Sequence, residues 1–348
     1  MSMFAETIAP EHEYRHVPDD QPAYNESTYY NFCCPEAGVV GWMRVAMQPN
    51  QPAGQAGVLV FLPDGETLFG YERTTSVPAA GLAVGGLAFD ILEPHRRQRL
   101  SFDGPLSSFA DPTVLATPGT AFREAPKRET RIRLSVTGNG ASFGTNGETP
   151  ENVLEDSLAI GHYEQFIHVD GELAAGDLSL RLRGGGLRDH SWGPRDWAGP
   201  VLYRWITAAF DDGSAVMTLD VLRRDGVRTR RAAAVSGGVA TQAELTDLSV
   251  EWTADGFCRR AVCEVGTAGG PVTLTGTARA PERFVPLRHR RTTEDGTELV
   301  TRIGYSAYEF VTSDGRRGLG VVEMLDQMVD GRPIGMAATA AAGPLPRA

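Results

Sequence analysis

Asp-Gly dipeptides recur between β-rich runs of this chain, at 64–65, 170–171, 212–213, 225–226, 255–256, 295–296 and 314–315. Such a pair between apolar or alternating residues signals a hairpin, because aspartate and glycine both tolerate the backbone of a tight turn. The segments they punctuate, VLVFLPDGETLFGYE and YEFVTSDGRRGLGVVEML among them, have the length and composition of strands. No long amphipathic helical period competes with them. Forty glycines suit sheets that must bend and close. The pattern predicts an all-β protein of up-and-down barrels. Pro78, Pro94, Pro105, Pro112, Pro118 and Pro126 crowd residues 76–128 and predict long loops within the first barrel.

At 348 residues the chain can form two ordinary domains. Its net charge of −11 and its short, interrupted arginine clusters make it a poor nucleic-acid binder. No run of 18 apolar residues indicates a membrane span, and the N-terminus lacks the basic and apolar regions of a secretory signal. Cys33, Cys34, Cys258 and Cys263 do not form a disulfide framework; they read as reduced, buried thiols in a cytoplasmic protein. Cys258 and Cys263, five apart, are expected on opposite faces of one strand.

The densest chemistry lies in GGGLRDHSWGPRDWAGP, residues 184–200. Trp192 and Trp197 are large enough to require burial, and Asp189, His190, Arg195 and Asp196 lie beside them. Acids and bases held against indole rings acquire shifted proton affinities. A structural corner of paired arginines and aspartates would use the same residues. The triplet Gly184–Gly186 lacks the strand-to-helix context of a phosphate loop, and the chain carries no nucleophile elbow, Walker A loop or His-Glu-x-x-His helix.

Two hairpins yield specific expectations. A two-residue turn at Asp212-Gly213 places Trp205 opposite Asp220, with Tyr203, Thr207 and Thr218 on the same face. Asp220 beside an indole would have a raised pKa and act as a general acid. The same count around Asp314-Gly315 puts Glu323 on a face with Tyr308, Phe310, Leu319 and Val321, and ranks it second. In GHYEQF, residues 161–166, Tyr163 and Gln165 share one strand face as pocket-lining candidates. His162, Glu164 and His168 share the other, but His162 and His168 are about 20 Å apart along a strand and cannot share an ion. No metal or other cofactor is expected.

The string Gly186 to Trp197, G-x-R-D-H-S-W-G-x-R-D-W, resembles the central motif of the two-domain lipocalin-like proteins related to AttH and carotenoid 1,2-hydratase (hydroxyneurosporene synthase). GHYEQ upstream and DGRRGLGVVEMLD near the end match the same group, and the resemblance spans roughly residues 25–335. It implies two calycin barrels side by side. In the hydratase branch an aspartate protonates an alkene, and a His-x-Trp pair and a later Tyr-x-Asp pair are implicated. His190-Ser191-Trp192 matches the first, and Asp220 matches the proton donor, with Thr218 in place of the tyrosine.

The expectation is therefore an N-terminal arm over residues 1–24, a first barrel over 25–183, a second over 184–338 and a flexible tail over 339–348. The function expected is a cofactor-independent hydratase or dehydratase acting on a hydrophobic, isoprenoid- or polyketide-like molecule. Asp220 would be the acid. Trp192, Trp197, Trp205, Tyr203 and Arg195 would line the pocket, and His190, oriented by Asp189 or Asp196, would place water. A non-catalytic carrier and a cyclase or isomerase are the alternatives. The oligomeric state stays open.

Overall fold

A computed structural model describes residues 2–76, 80–149, 158–293 and 295–336. It contains two antiparallel sheets, each rolled into a ring. The first is built from Tyr24–Cys34 (β1), Val39–Gln48 (β2), Ala53–Phe61 (β3), Thr67–Thr74 (β4), Leu82–Val84 (β5), Leu87–Glu93 (β6), Arg97–Phe109 (β7), Lys127–Gly138 (β8), Phe143–Thr145 (β9), Gly161–Ala175 (β10) and Leu178–Pro194 (β11). Eight of these run β4-β3-β2-β1-β11-β10-β8-β7 and close through β7 on β4. The second comprises Leu202–Phe210 (β12), Ala215–Leu222 (β13), Arg228–Ser236 (β14), Val239–Trp252 (β15), Cys258–Thr267 (β16), Gly270–Ala278 (β17), Val285–Thr292 (β18), Glu298–Thr312 (β19), Arg317–Val329 (β20) and Arg332–Pro333 (β21). It closes where β19 meets β20. The proline-rich stretch supplies the β5–β6 hairpin and a short helix, Pro118–Glu124. No described helix is long and apolar enough to cross a membrane.

The motif strand β11 hydrogen-bonds to β1 and β10, so it belongs to the first barrel. The boundary expected at 183/184 is thus corrected to the link between Pro194 and Leu202. Glycines at 184 and 186 let β11 run tight against β1. A Cβ at Gly184 would lie 1.9 Å from the Cys33 carbonyl oxygen, and one at Gly186 would lie 2.1 Å from that of Asn31.

Turn geometry sets the faces. At 64–65, 212–213, 225–226, 255–256, 295–296 and 314–315 the bracketing residues enclose three residues, with glycine in the left-handed region. A two-residue type I′ turn needs positive φ at both positions. Among these Asp-Gly pairs the aspartate never has it; Asp330, at φ 50 before Gly331, does. Asp170-Gly171 is no turn at all but lies inside β10. Each three-residue turn shifts the pairing by one residue and so turns side chains to the other face.

Alternation then divides each strand between two environments. One set of side chains fills each barrel, Tyr30, Phe32, Met43 and Val58 in the first and Ile206, Phe210, Phe257 and Phe310 in the second. The outward set meets between the barrels, where Tyr29, Trp42, Leu59, Tyr203, Leu219 and Tyr305 share a third core. The four cysteines are free and buried. Cys258 and Cys263 both enter the second barrel's core, because the pairing slips between Glu251 and Trp252 and cancels their expected opposition.

Candidate functional site

A cavity of about 130 Å³ lies between the barrels. The first barrel contributes Ser27, Tyr29, Arg44, His162, Glu164, Asp189, Ser191 and Arg195; the second contributes Tyr203, Trp205, Leu219, Val221, Arg231, Tyr305 and Glu323. Trp197 enters from the link, under the Arg195 guanidinium at 5.0 Å and stacked on His289 at 5.1 Å.

Glu323 is the register partner of Trp205 on one side and of Tyr305 on the other. Tyr203 donates a hydrogen bond to its Oε1. Burial raises the Glu323 carboxyl to about 7, against the opposing pull of the Tyr203 hydrogen bond. Glu164 reaches the same cavity from β10, and burial raises it to about 7 as well, although His162 favours its charged form. Two carboxyl groups poised near neutrality thus face one aromatic cavity. Asp189 lies 3.9 Å from His162. Burial opposes the charge on His162, but Asp189 and Glu164 outweigh it and its pKa is raised.

The motif serves two sites because its residues alternate. Asp189 and Ser191 face the cavity; Arg188, His190 and Trp192 face away from it, under the N-terminal arm. That arm seals the end of the first barrel. Glu13 pairs with the fully buried Arg188, and His95 lies 3.0 Å from it. Burial disfavours the Glu13 charge, yet Arg188 and His95 hold its carboxyl at about 2. His16 stacks on Trp192 at 3.7 Å. Glu26 accepts from His16 Nδ1 at 2.8 Å and from His190 Nε2 at 3.0 Å. The ligand atoms of His16, Glu26 and His190 lie within 4.8 Å of one another, so this trio could hold a divalent ion in place of its protons.

Of the residues singled out from sequence, Asp189, Arg195, Trp197, Tyr203, Trp205 and Glu323 line the cavity. Asp220, His190, Asp196, Trp192, Tyr163 and Gln165 do not, and four expectations need correction. Trp205 pairs with Leu219, and Asp220 pairs with Arg204, because the 212–213 turn holds three residues. Asp220 therefore turns away from the cavity and takes a bidentate bond from Arg228, at 2.8 and 2.5 Å, with Arg230 at 3.8 Å. Glu323 likewise pairs with Tyr305 and does not share a face with Tyr308 and Phe310. His190 is oriented by Glu26 and not by Asp189 or Asp196; Asp196 caps Ala198 N and pairs with Arg291. Tyr163 and Gln165 bond under the arm to Glu13 and to the His95 and Gly140 carbonyls, while His162 and Glu164 from the opposite face line the cavity.

Sequence reasoning missed Glu164, Arg44 and Tyr305 as cavity residues. Alternation along β10 puts Glu164 on the same face as His162, but nothing local marks that face as the one a second barrel covers.

Two eight-stranded antiparallel rings with a polar, aromatic cavity between them define the class: a double-barrel protein with its candidate site at the inter-barrel seam. Within it, the chain belongs to the family described as a domain of unknown function, DUF7064, which matches residues 9–328. The fold is similar to that of an AttH-like protein from Nitrosomonas europaea, with a TM-score of 0.58 and 14% identity over 94% of this chain and 98% of that one. It is also similar to kievitone hydratase from Nectria haematococca, with a TM-score of 0.50 and 10% identity over 93% and 96% of the two chains. No curated protein sequence matches it significantly.

Proposed function

We propose that the chain is a cofactor-independent hydratase or dehydratase acting on a small molecule with an apolar body, in the cavity between its barrels. The observation that carries this reading is the pair Glu164 and Glu323, both raised to about 7 beside Trp205. Two carboxyl groups with proton affinities near ambient pH can serve as acid and base in one cycle. In hydration, Glu323 gives its proton to one alkene carbon, and the π electrons form the new C–H bond. Trp205 lines the cavity in which the cation forms, and an indole ring stabilises positive charge. Glu164, as carboxylate, takes a proton from the water whose oxygen bonds to the cation. Solvent returns that proton to Glu323. Dehydration is the reverse. Kievitone hydratase, which shares the fold, bears the name of this chemistry.

The role of acid passes here from Asp220 to Glu323. Asp220 has two arginines within 4.0 Å and no access to the cavity. The test is capture of ligand from a native lysate by wild type and by Glu323→Gln, read by mass spectrometry. Compounds differing by one water are expected. The same compound on both proteins would favour a carrier, and an isomeric pair a cyclase; either result removes the hydration reading.

A further inference from the structure

Ser27 and Ser191 are direct cross-strand partners between β1 and β11, and each hydroxyl moors a guanidinium. Arg44 Nε donates to Ser27 Oγ at 2.9 Å, and Arg195 Nη2 donates to Ser191 Oγ at 2.7 Å. Side chains directly opposite share a face with their Cβ atoms about 5 Å apart. The two guanidiniums are therefore held side by side on one wall of the cavity. Among the described residues neither forms an ion pair within 4.0 Å. The Nε of Arg195 is buried with no acceptor.

The surroundings register this unanswered charge. Burial and the nearby Arg44 lower Arg195 to about 10. Burial, Arg44 and Arg195 together lower His289 to about 4, so that imidazole stays neutral. Arg231 adds a third guanidinium from β14. Opposing them are Asp189, Glu164 and Glu323, of which the two glutamates are largely protonated below pH 7. As the two glutamates take up protons, the described lining offers Arg44 and Arg195 less opposing charge. Positive charge there is costly unless an anion completes it.

We propose that the Arg44–Arg195 pair recognises an acidic group on the substrate, a carboxylate or an enolised 1,3-dicarbonyl, while Trp205, Leu219 and Val221 cover its apolar body. This rests on the reading that the cavity is the substrate site. Paired guanidiniums match the planar, two-oxygen geometry that both acidic groups present. A bare hydrocarbon would leave the pair unanswered, so the substrate class narrows to apolar acids.

The experiment is calorimetric titration of the full chain at about pH 6 with 4-phenylbenzoate and with its neutral twin, 4-phenylbenzamide. The carboxylate should bind about tenfold or more tightly than the amide, the scale of one charge-assisted contact pair. Arg44→Met and Arg195→Met should each abolish that preference and leave amide affinity nearly unchanged. Arg195→Lys, which keeps the charge and loses the fork, should retain part of it. Equal affinity for the two probes, or no saturable carboxylate binding by wild type, overturns the proposal without any variant. So does a preference that survives in both methionine variants. Glu323→Gln separates the two readings: the anion preference should persist in it. Preference without turnover in wild type removes only the hydration chemistry, and turnover of a neutral substrate without preference removes only the anion site.

Discussion

The Tyr203 hydroxyl donates a hydrogen bond to Glu323, and the two side chains are buried together on adjacent strands of the second barrel. Tyr305 approaches the same carboxyl from β19, so two phenols hold it at the cavity wall. This pairing sets the first two predictions.

Glu323→Gln should lower turnover by about 10²–10⁴-fold, the usual contribution of a general acid, while the fold is retained. An amide has the same shape and is already neutral. Steady-state kinetics beside a thermal melt would decide it; a loss under tenfold with an unchanged melt would remove Glu323 from the chemistry. Tyr203→Phe removes a hydrogen bond that favours the charged carboxylate, so the Glu323 limb of the pH–rate profile should move to higher pH.

Stability should report the same buried acid. The carboxyl of Glu323 is raised in the folded chain from 4.5 to about 7, so between those values the folded state binds more protons than the unfolded one. Stability from this group is therefore present at low pH and lost as pH rises through about 7. Glu323→Gln lacks this dependence. Denaturation of both proteins across pH 4 to 8 should show the variant gaining on wild type as pH rises; a constant difference would contradict the raised pKa.

Asp220 should prove structural. Asp220→Asn weakens a buried carboxylate's bond to the half-exposed Arg228 and should cost about 1–3 kcal/mol of stability. Turnover per folded molecule should stay within about twofold of wild type, as expected for a group outside the site. Urea titration and active-fraction kinetics test both halves, and a large kcat loss without destabilisation would restore Asp220 as a catalytic group.

Removing the charge of Glu13 strands Arg188, which is 1% exposed. Glu13→Gln should therefore cost about 3–5 kcal/mol, as for other broken buried ion pairs. The double variant Glu13→Leu/Arg188→Met should recover much of that loss. Additive losses in a double-mutant cycle would show that the arm is held by packing on Trp192 and not by this pair.

Much of this architecture was legible in the chain. The Asp-Gly turns and strand-length runs imply closed antiparallel sheets, and strict alternation along β11 assigns Arg188, His190 and Trp192 to one face and Asp189 and Ser191 to the other. Period-two alternation is local, so sequence determines which residues of a strand share a face wherever no slip interrupts the pairing, as one does between Cys258 and Cys263. Two things were not local. Whether Asp-Gly closes a two- or three-residue turn depends on the sign of φ at the aspartate, and that one-residue difference exchanged Leu219 for Asp220 opposite Trp205. Which face becomes a cavity depends on what covers it. The second barrel covered Asp189, Glu164 and Arg195, and the N-terminal arm covered His190 and Trp192. Proton affinity follows from that burial. Sequence determined the partition of the side chains; only docking of the barrels and the arm decided which partition is buried around a space and which is sealed into a core.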